Sequence, residues 1–344
     1  MGGFFIWRHE MQNPFDNPSF SMASLTSAIN IIPNRYGRLQ QLGLFTPKPV
    51  TMRTIIVEEM QGVLNLLPTK APGSPGTVGT TGKRRVRSFI VPHIPHDDVV
   101  LPEEVQGIRA FGSESQFESI AGVMARKLET MRNKHAITLE YLRVGALKGQ
   151  ILDADGSVIY DLWTEFGVTQ TAVNFMLNTA TTKVKVKCNE VLRIIEKNLM
   201  GEVATGVRVL CSPQFFDALT SHDNVEKAFA YYQQGAALIN DGRSGFRFGG
   251  IVFEEYVGFA TDAVGNVRKF IPDGEAIAFP EGTMDTFATY FAPADFNETV
   301  NTPGLEIYAK QAPRKFDRGT DLHTQSNPLP MCHRPGVLVR LTAQ

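Results

Sequence analysis

Cysteine is scarce in this chain, with only Cys188, Cys211 and Cys332 among 344 residues, far apart and in no Cys-x-x-Cys arrangement. So odd and scattered a set excludes a disulfide framework or a zinc knuckle and points to a reducing compartment. Also missing is any apolar run near the roughly 20 residues that span a bilayer. Met1 to Glu10 lacks the long apolar core and cleavage site of a secretory leader. The chain therefore reads as a soluble protein, neither secreted nor embedded. Charge of one sign is not in excess either. The 34 basic and 35 acidic residues leave a net charge of -1, whereas a dedicated nucleic-acid binder would carry a basic excess on one face.

Signatures of catalysis are equally thin. Gly82-Lys83 looks like the end of a phosphate-binding loop, but Thr77 stands where that motif needs a glycine and Arg84 where it needs Ser or Thr. Asp153 and Asp155 could open a calcium loop, yet the glycine falls at the fourth position and Thr164 occupies the twelfth, so a hairpin turn is the better reading. His93, His96, Asp97 and Asp98 form the one dense group of possible metal ligands. On an extended strand His93 and His96 point to opposite faces, and Pro92 and Pro95 mark an edge or a bend. Cys332-His333 has no second pair at zinc spacing, His135 fits a packed position on a helix, and no Gly-x-Ser-x-Gly elbow occurs. No catalytic, cofactor or metal site is assigned, and the expectation is a protein that is not an enzyme.

What is present is organisation. With 43% hydrophobic residues, the chain can build two or three packing units. From Asn13 to Pro49 it mixes Asn, Pro and Ser, which reads as an extended arm with a short helical turn around Ser24 to Asn30, lying across other surfaces. Thr51 to Leu67 and Arg84 to Val100 read as two antiparallel strands. Between them Pro68 to Gly82 is too rich in Pro and Gly to continue a ladder, so the three segments make a long hairpin with a loose tip. Lys70, Lys83, Arg84, Arg85 and Arg87 sit at or beside that tip. Glu58, Glu59, Asp97, Asp98, Glu103 and Glu104 are assigned to its base and the segment just beyond. A basic tip and an acidic base would be complementary if one subunit's hairpin lay on its neighbour.

The strongest periodicity runs from Ser113 to Gly149, where Phe117, Ile120, Met124, Leu128, Met131, His135, Leu139 and Leu142 recur every three or four residues. A helix of that span forms a rod of about 45 Å, long enough to serve as the spine of a domain. Gln150 to Tyr160 alternates around Asp155-Gly156 and reads as a small hairpin. Beyond Gly167 the pattern is α/β. A helix is expected over Lys187 to Met200, strands over Val207 to Cys211, Ile251 to Tyr256 and Ala276 to Phe279, and a helix capped by Ser212 with Pro213 at its first position. Gly336 to Leu341 reads as a strand returning to the sheet beside the long helix.

This order of parts resembles the Hong Kong 97-type capsid fold. The sequence is similar to the lambda-type family of major capsid proteins (capsid protein E) at Leu147-Lys148-Gly149 before the Asp155-Gly156 hairpin, at Phe270 to Glu275, and at Gln325 to Pro330 followed by Val337 to Leu341. The resemblance implies an α+β fold with an N-terminal arm (1–50), an extended β-hairpin loop (51–100), a peripheral domain with the spine helix (101–166 and 302–344) and an α/β axial domain (167–301). It further implies the shell of a tailed double-stranded DNA bacteriophage, built from hexamers and pentamers in the host bacterial cytoplasm and carried in the virion. A decoration protein, a scaffold or protease and a portal are the expected partners, with weak non-specific contact to packaged DNA and none to a membrane. An encapsulin-like compartment shell and an α/β enzyme are the alternatives.

Overall fold

A computed structural model describes residues 21–31, 37–60, 84–104, 120–226, 228–229, 243, 245–262 and 264–344. In chain order, the first part holds α1 (Met22–Ile31), α2 (Arg38–Gln41), β1 (Thr46–Pro49), β2 (Thr54–Met60), β3 (Arg84–Ile90) and β4 (Ile94–Val100). The middle holds α3 (Ile120–Lys148), β5 (Gln150–Leu152), β6 (Val158–Asp161), α4 (Leu162–Phe166), β7 (Thr171–Asn174), α5 (Val184–Asn198), β8 (Gly206–Cys211) and α6 (Pro213–Thr220). The last part is mostly strand: β9 (Phe246–Phe248), β10 (Ile251–Glu255), β11 (Phe259–Thr261), β12 (Val267–Lys269), β13 (Glu275–Glu281), β14 (Phe287–Phe291), β15 (Tyr308–Pro313), β16 (Thr320–Ser326), β17 (Pro328–Cys332) and β18 (Val339–Thr342).

The apolar stripe forms the spine. α3 has 29 residues and so is about 44 Å long. Its first half buries Val123, Met124, Leu128 and Met131 against Leu25 and Ile29 of α1, Val100, Ile307, Ala309 and Leu322. Its second half joins the main core through Leu142, Val144, Ala146 and Leu147 and packs on β17 and β5. The helix stops at Gly149, whose φ of 76° suits glycine and whose missing side chain leaves room for the Trp163 ring. The β5–β6 hairpin follows, turning through Gly156 at φ 86°.

Six strands in the order β7-β18-β13-β8-β10-β9 make the largest sheet. β13 is buried at five consecutive positions, which identifies a strand covered on both faces. α5 buries Val184, Cys188, Val191 and Ile195, and α6 buries Phe215, Phe216 and Leu219. Ser212 caps α6 as its sequence position implies, its Oγ accepting from Phe215 N at 3.3 Å.

Three expectations need correction. The segment Arg84 to Val100 is two strands in two sheets. β3 pairs β2, the chain breaks at Val91 to His93, and β4 becomes the edge of the sheet β15-β16-β4. Pro92 lies at the break, where a missing N–H costs no ladder bond. The closing strand returns to the six-stranded sheet, which α3 touches at β13, and not to the sheet of β17 on which α3 chiefly packs. β18 inserts between β13 and β7 of the six-stranded sheet because a turn at Pro335–Val337 redirects the chain after β17, the strand on which α3 packs. Finally, the helical part of the arm does not wait for another surface. α1 buries Leu25 and Ile29 in its own chain, while Thr26 Oγ1 donates to Ala309 O at 3.3 Å and accepts from Ala309 N at 3.1 Å.

Candidate functional site

The residues singled out for inter-subunit contact gather on and around the β2–β3 ribbon. Its two strands pair only with each other among the described residues, from Thr54 opposite Ile90 to Met60 opposite Arg84. Alternation along each strand sends Ile55, Val57 and Phe89 into the protein core and leaves Ile56, Val86 and Ile90 outside. The inner face is clamped. Phe89 meets Tyr160 edge-on at 5.3 Å and stacks on Phe166 at 6.2 Å, while the Tyr160 hydroxyl accepts from Ile90 N at 2.7 Å and donates to Ile90 O at 3.0 Å. The outer face is 65% exposed at Ile56 and 61% at both Val86 and Ile90. That is an apolar surface on a two-stranded ribbon, of a kind that soluble monomers ordinarily blunt.

The charges are distributed differently from the basic tip and acidic base expected. Lys70 and Lys83 lie outside the described residues. Glu59 stands opposite Arg85 and Glu58 opposite Val86, so both glutamates share the far end of the ribbon with Arg84 and Arg85. The register explains this, since residues following Val57 run outward as those preceding Arg87 do. Arg87 is engaged within its own chain. Its Nε donates to Glu165 O at 2.6 Å and its guanidinium lies 4.7 Å from the Phe166 ring centroid, at the carbonyl end of α4.

The remaining acidic residues belong to β4 and the turn after it. Lys127 of α3 bridges Asp98 at 3.3 Å and Glu104 at 3.0 Å, Asp97 accepts from His323 at 2.5 Å, and Glu103 is exposed. His93 contacts Asn327 and Gln325, and His96 contacts Lys134, so the four residues of the suspected ligand group turn to separate partners. Asp153 and Asp155 serve the β5–β6 turn, accepting from Ala154 N and Ser157 N. The three cysteines are buried, and desolvation pushes the Cys188 and Cys332 thiols up to about 12 and raises Cys211 as well. Thiols held protonated in this way are poor nucleophiles and poor metal ligands.

A buried ionic network went unread in the sequence because its members lie far apart along the chain. Glu254 of β10 accepts from Arg38 at 2.5 Å and from Arg208 at 2.6 Å, and Arg208 also pairs with Glu281. Beside it Glu140 of α3 accepts from Leu39 N at 3.0 Å and from the Tyr256 hydroxyl at 3.2 Å, and its burial raises its pKa. The network ties α2, the spine and the six-stranded sheet into one body. Its arginines and glutamates pair with one another, which is how structural charges are arranged.

The fold has known counterparts. It is similar to the putative capsid protein of a prophage of E. coli CFT073 (TM-score 0.56, 13% identity, 94% of this chain and 99% of that one). It is also similar to the capsid of Ralstonia phage GP4 (TM-score 0.54, 9% identity, 100% and 99%) and to the mature capsid of bacteriophage PhiM1 (TM-score 0.52, 13% identity, 88% and 85%). At these identities the likeness shows the fold, an α+β capsid fold. Residues 21–343 match the family described as Phage major capsid protein E. Over 339 residues the chain is 33% identical to the major capsid protein of Pseudomonas phage KPP10, covering 94% of this chain and 96% of that one. It is 29% identical over 355 residues to the major capsid protein of Salmonella phage Felix O1, with the same coverages. The chain belongs to the phage major capsid protein E family. It is a structural protein of the tailed-phage virion and not an enzyme, and as a capsid subunit it associates with copies of itself. The enzyme and cellular-compartment readings give way to this one.

Proposed function

We propose that copies of the chain close into hexamers and pentamers of an icosahedral head in the host bacterial cytoplasm, with the β2–β3 ribbon of each copy lying on its neighbour. The outer face of the ribbon carries the argument. Ile56, Val86 and Ile90 form an exposed apolar strip on a two-stranded ribbon, which is marginal alone in water and becomes an asset once a second copy covers it. Arg84 and Arg85, with Lys70 and Lys83, supply the charge that steers the approach, while Arg87 holds the ribbon to its own body. Glu103, exposed beside the paired Asp97, Asp98 and Glu104, is proposed to answer them, together with Glu58 and Glu59 of the ribbon sequence. The arm, loop, peripheral and axial divisions are retained, with β18 reassigned to the axial unit because of its pairing.

The interior is proposed to touch packaged double-stranded DNA weakly, consistent with a net charge of -1 and with salt-screened contacts that leave the genome free to enter and leave. A decoration protein, a scaffold or protease and a portal complete the proposed partners. Negative-stain microscopy with light scattering on the protein, expressed alone and with its neighbouring genes, tests this reading. Closed shells or capsomer rings are expected, and a stable monomer or dimer in both samples overturns it. A variant lacking Pro72 to Gly82 should fold as a monomer yet assemble poorly; normal shells from it would remove the role of the loop.

A further inference from the structure

The turn joining β15 to β16 holds a strained backbone and a largely exposed aromatic ring. Phe316 and Asp317 both adopt left-handed conformations, with φ of 62° and 53°, which non-glycine residues hold only where their surroundings over-determine them. Here Arg314 N donates to Gly319 O at 2.9 Å, Asp317 N donates to Arg314 O at 3.1 Å, and Arg314 pairs with Asp321 at 2.6 Å. The turn is thus pinned at its neck, and it holds out the Phe316 ring, 87% exposed, with the Arg318 guanidinium 5.7 Å from the ring centroid. Strain that displays a large aromatic ring to water does nothing for the isolated subunit.

At the opposite end of the same hairpin lies an apolar groove of about 720 Å³ that no described residue fills, between α1 and the chain leading into β15, lined among others by Met22, Ala23, Ile31, Pro303, Leu305 and Tyr308. Ile31 and Leu305 are large apolar side chains left exposed there. Tyr308 begins β15, so the length of that strand, roughly 17 Å at ~3.3 Å per residue, separates the groove from the turn before the turn itself is counted. The ring therefore cannot enter the groove of its own chain. A knob at one end of an element and a socket at the other form a head-to-tail pair, the geometry by which identical copies join heterologously and close into rings. The charges agree. With Arg314 paired to Asp321, the turn keeps Lys315 and Arg318 against Asp317, and the groove wall carries Glu298, about half exposed in its pair with Lys310, and Glu306, paired with Arg132.

We infer that Phe316 is an assembly anchor that inserts into the Met22–Tyr308 groove of a second copy of this chain. The inference rests on the assembly reading only in requiring that copies meet, and it names a contact separate from the β2–β3 ribbon. An aromatic ring seated in an apolar pocket is the kind of residue that dominates an interface.

Cysteine pairing tests it, because the three native thiols are buried and stay silent under mild oxidation. Shells of the double variant Phe316→Cys, Leu305→Cys, assembled at raised protein concentration and treated with diamide, should give a ladder of covalent multimers on a denaturing gel that neither single variant gives. In parallel, Phe316→Gly should keep or raise the melting temperature, since glycine relieves the left-handed strain, while raising the protein concentration needed for assembly at least about tenfold. Shells forming at the ordinary concentration from Phe316→Gly, or shells of the double variant that give no ladder, overturn the anchor. The unaltered chain run beside them separates the two proposals, since its failure to assemble under any condition takes both down.

Discussion

His135 occupies a place in the α3 stripe where a leucine would ordinarily sit. Its Nε2 lies 3.0 Å from Thr324 Oγ1, and the His96 ring stands 6.3 Å away. Desolvation, with smaller contributions from His96, Arg132 and His323, lowers its pKa from 6.5 to about 3. The imidazole is therefore buried neutral, and it binds a proton less readily folded than unfolded. Its contribution to stability is whole above pH 6.5, declines as the pH falls towards 3, and is lost below that. By pH 4 the loss approaches about 3 kcal/mol at ~1.4 kcal/mol per unit. Urea unfolding at pH 7 and pH 4 should show a steeper loss of stability in the parent chain than in His135→Gln; equal slopes would mean that His135 carries no such burden. The sequence placed His135 correctly on the buried stripe, because periodicity alone decides which face a helical residue occupies. It could not reveal Thr324 or His96, which come from β16 and β4, nor the grouping of Arg38, Arg208, Glu254 and Glu281. Such meetings depend on tertiary pairing, and no local spacing encodes them.

Among the elements, those with a strong period or a strong terminal signal were legible. α3 ends at Gly149, α6 starts at the Ser212 cap, and β8, β10 and β13 fall close to their apolar runs. β14, Phe-Ala-Thr-Tyr-Phe, escaped although its aromatic run favours a strand, and other strands escaped because their composition argues against one. β1 reads Thr-Pro-Lys-Pro and β17 reads Pro-Leu-Pro-Met-Cys, yet they are the two edges of the sheet β1-β14-β17, where a proline need not interrupt a ladder. β16 is polar, but Thr324, Gln325 and Ser326 are buried between its two partner strands and α3, so no alternation announces it. The end of α3 is the place to test an element boundary. A Cβ on residue 149 would lie 2.3 Å from the Trp163 ring, and the φ of 76° penalises it again. Gly149→Ala should therefore cost roughly 1–3 kcal/mol in denaturant unfolding, with tryptophan fluorescence altered even in the folded state. An unchanged midpoint would show that Trp163 moves aside freely.

For the whole molecule, the balance of 34 basic against 35 acidic residues leaves local charge to do what net charge cannot. Reversing Arg84 and Arg85 together, with Arg87 left to hold α4, should slow shell formation followed by light scattering, and more at low salt than at high. A defect of the same size at every ionic strength would point to misfolding of the ribbon, and no defect would leave the two arginines as ordinary solvated charges. Overall architecture was legible from the order of parts. The sheet that each strand joins was not, because hydrophobic runs identify a strand without saying which sheet will take it.

The position of β18 bears on time as well as on architecture. Thr171 of β7 pairs with Val339, so one flank of the main sheet cannot close until two stretches from distant parts of the chain have found each other. β1 likewise waits for β14, with Thr46 paired to Ala288. Topology dominated by such distant pairings folds slowly, and partly folded chains spend that interval with apolar strands uncovered. The ribbon that suits a copy in a shell is then available to any other nascent chain. Closure of the sheet and premature association are thus competing courses for a newly made chain.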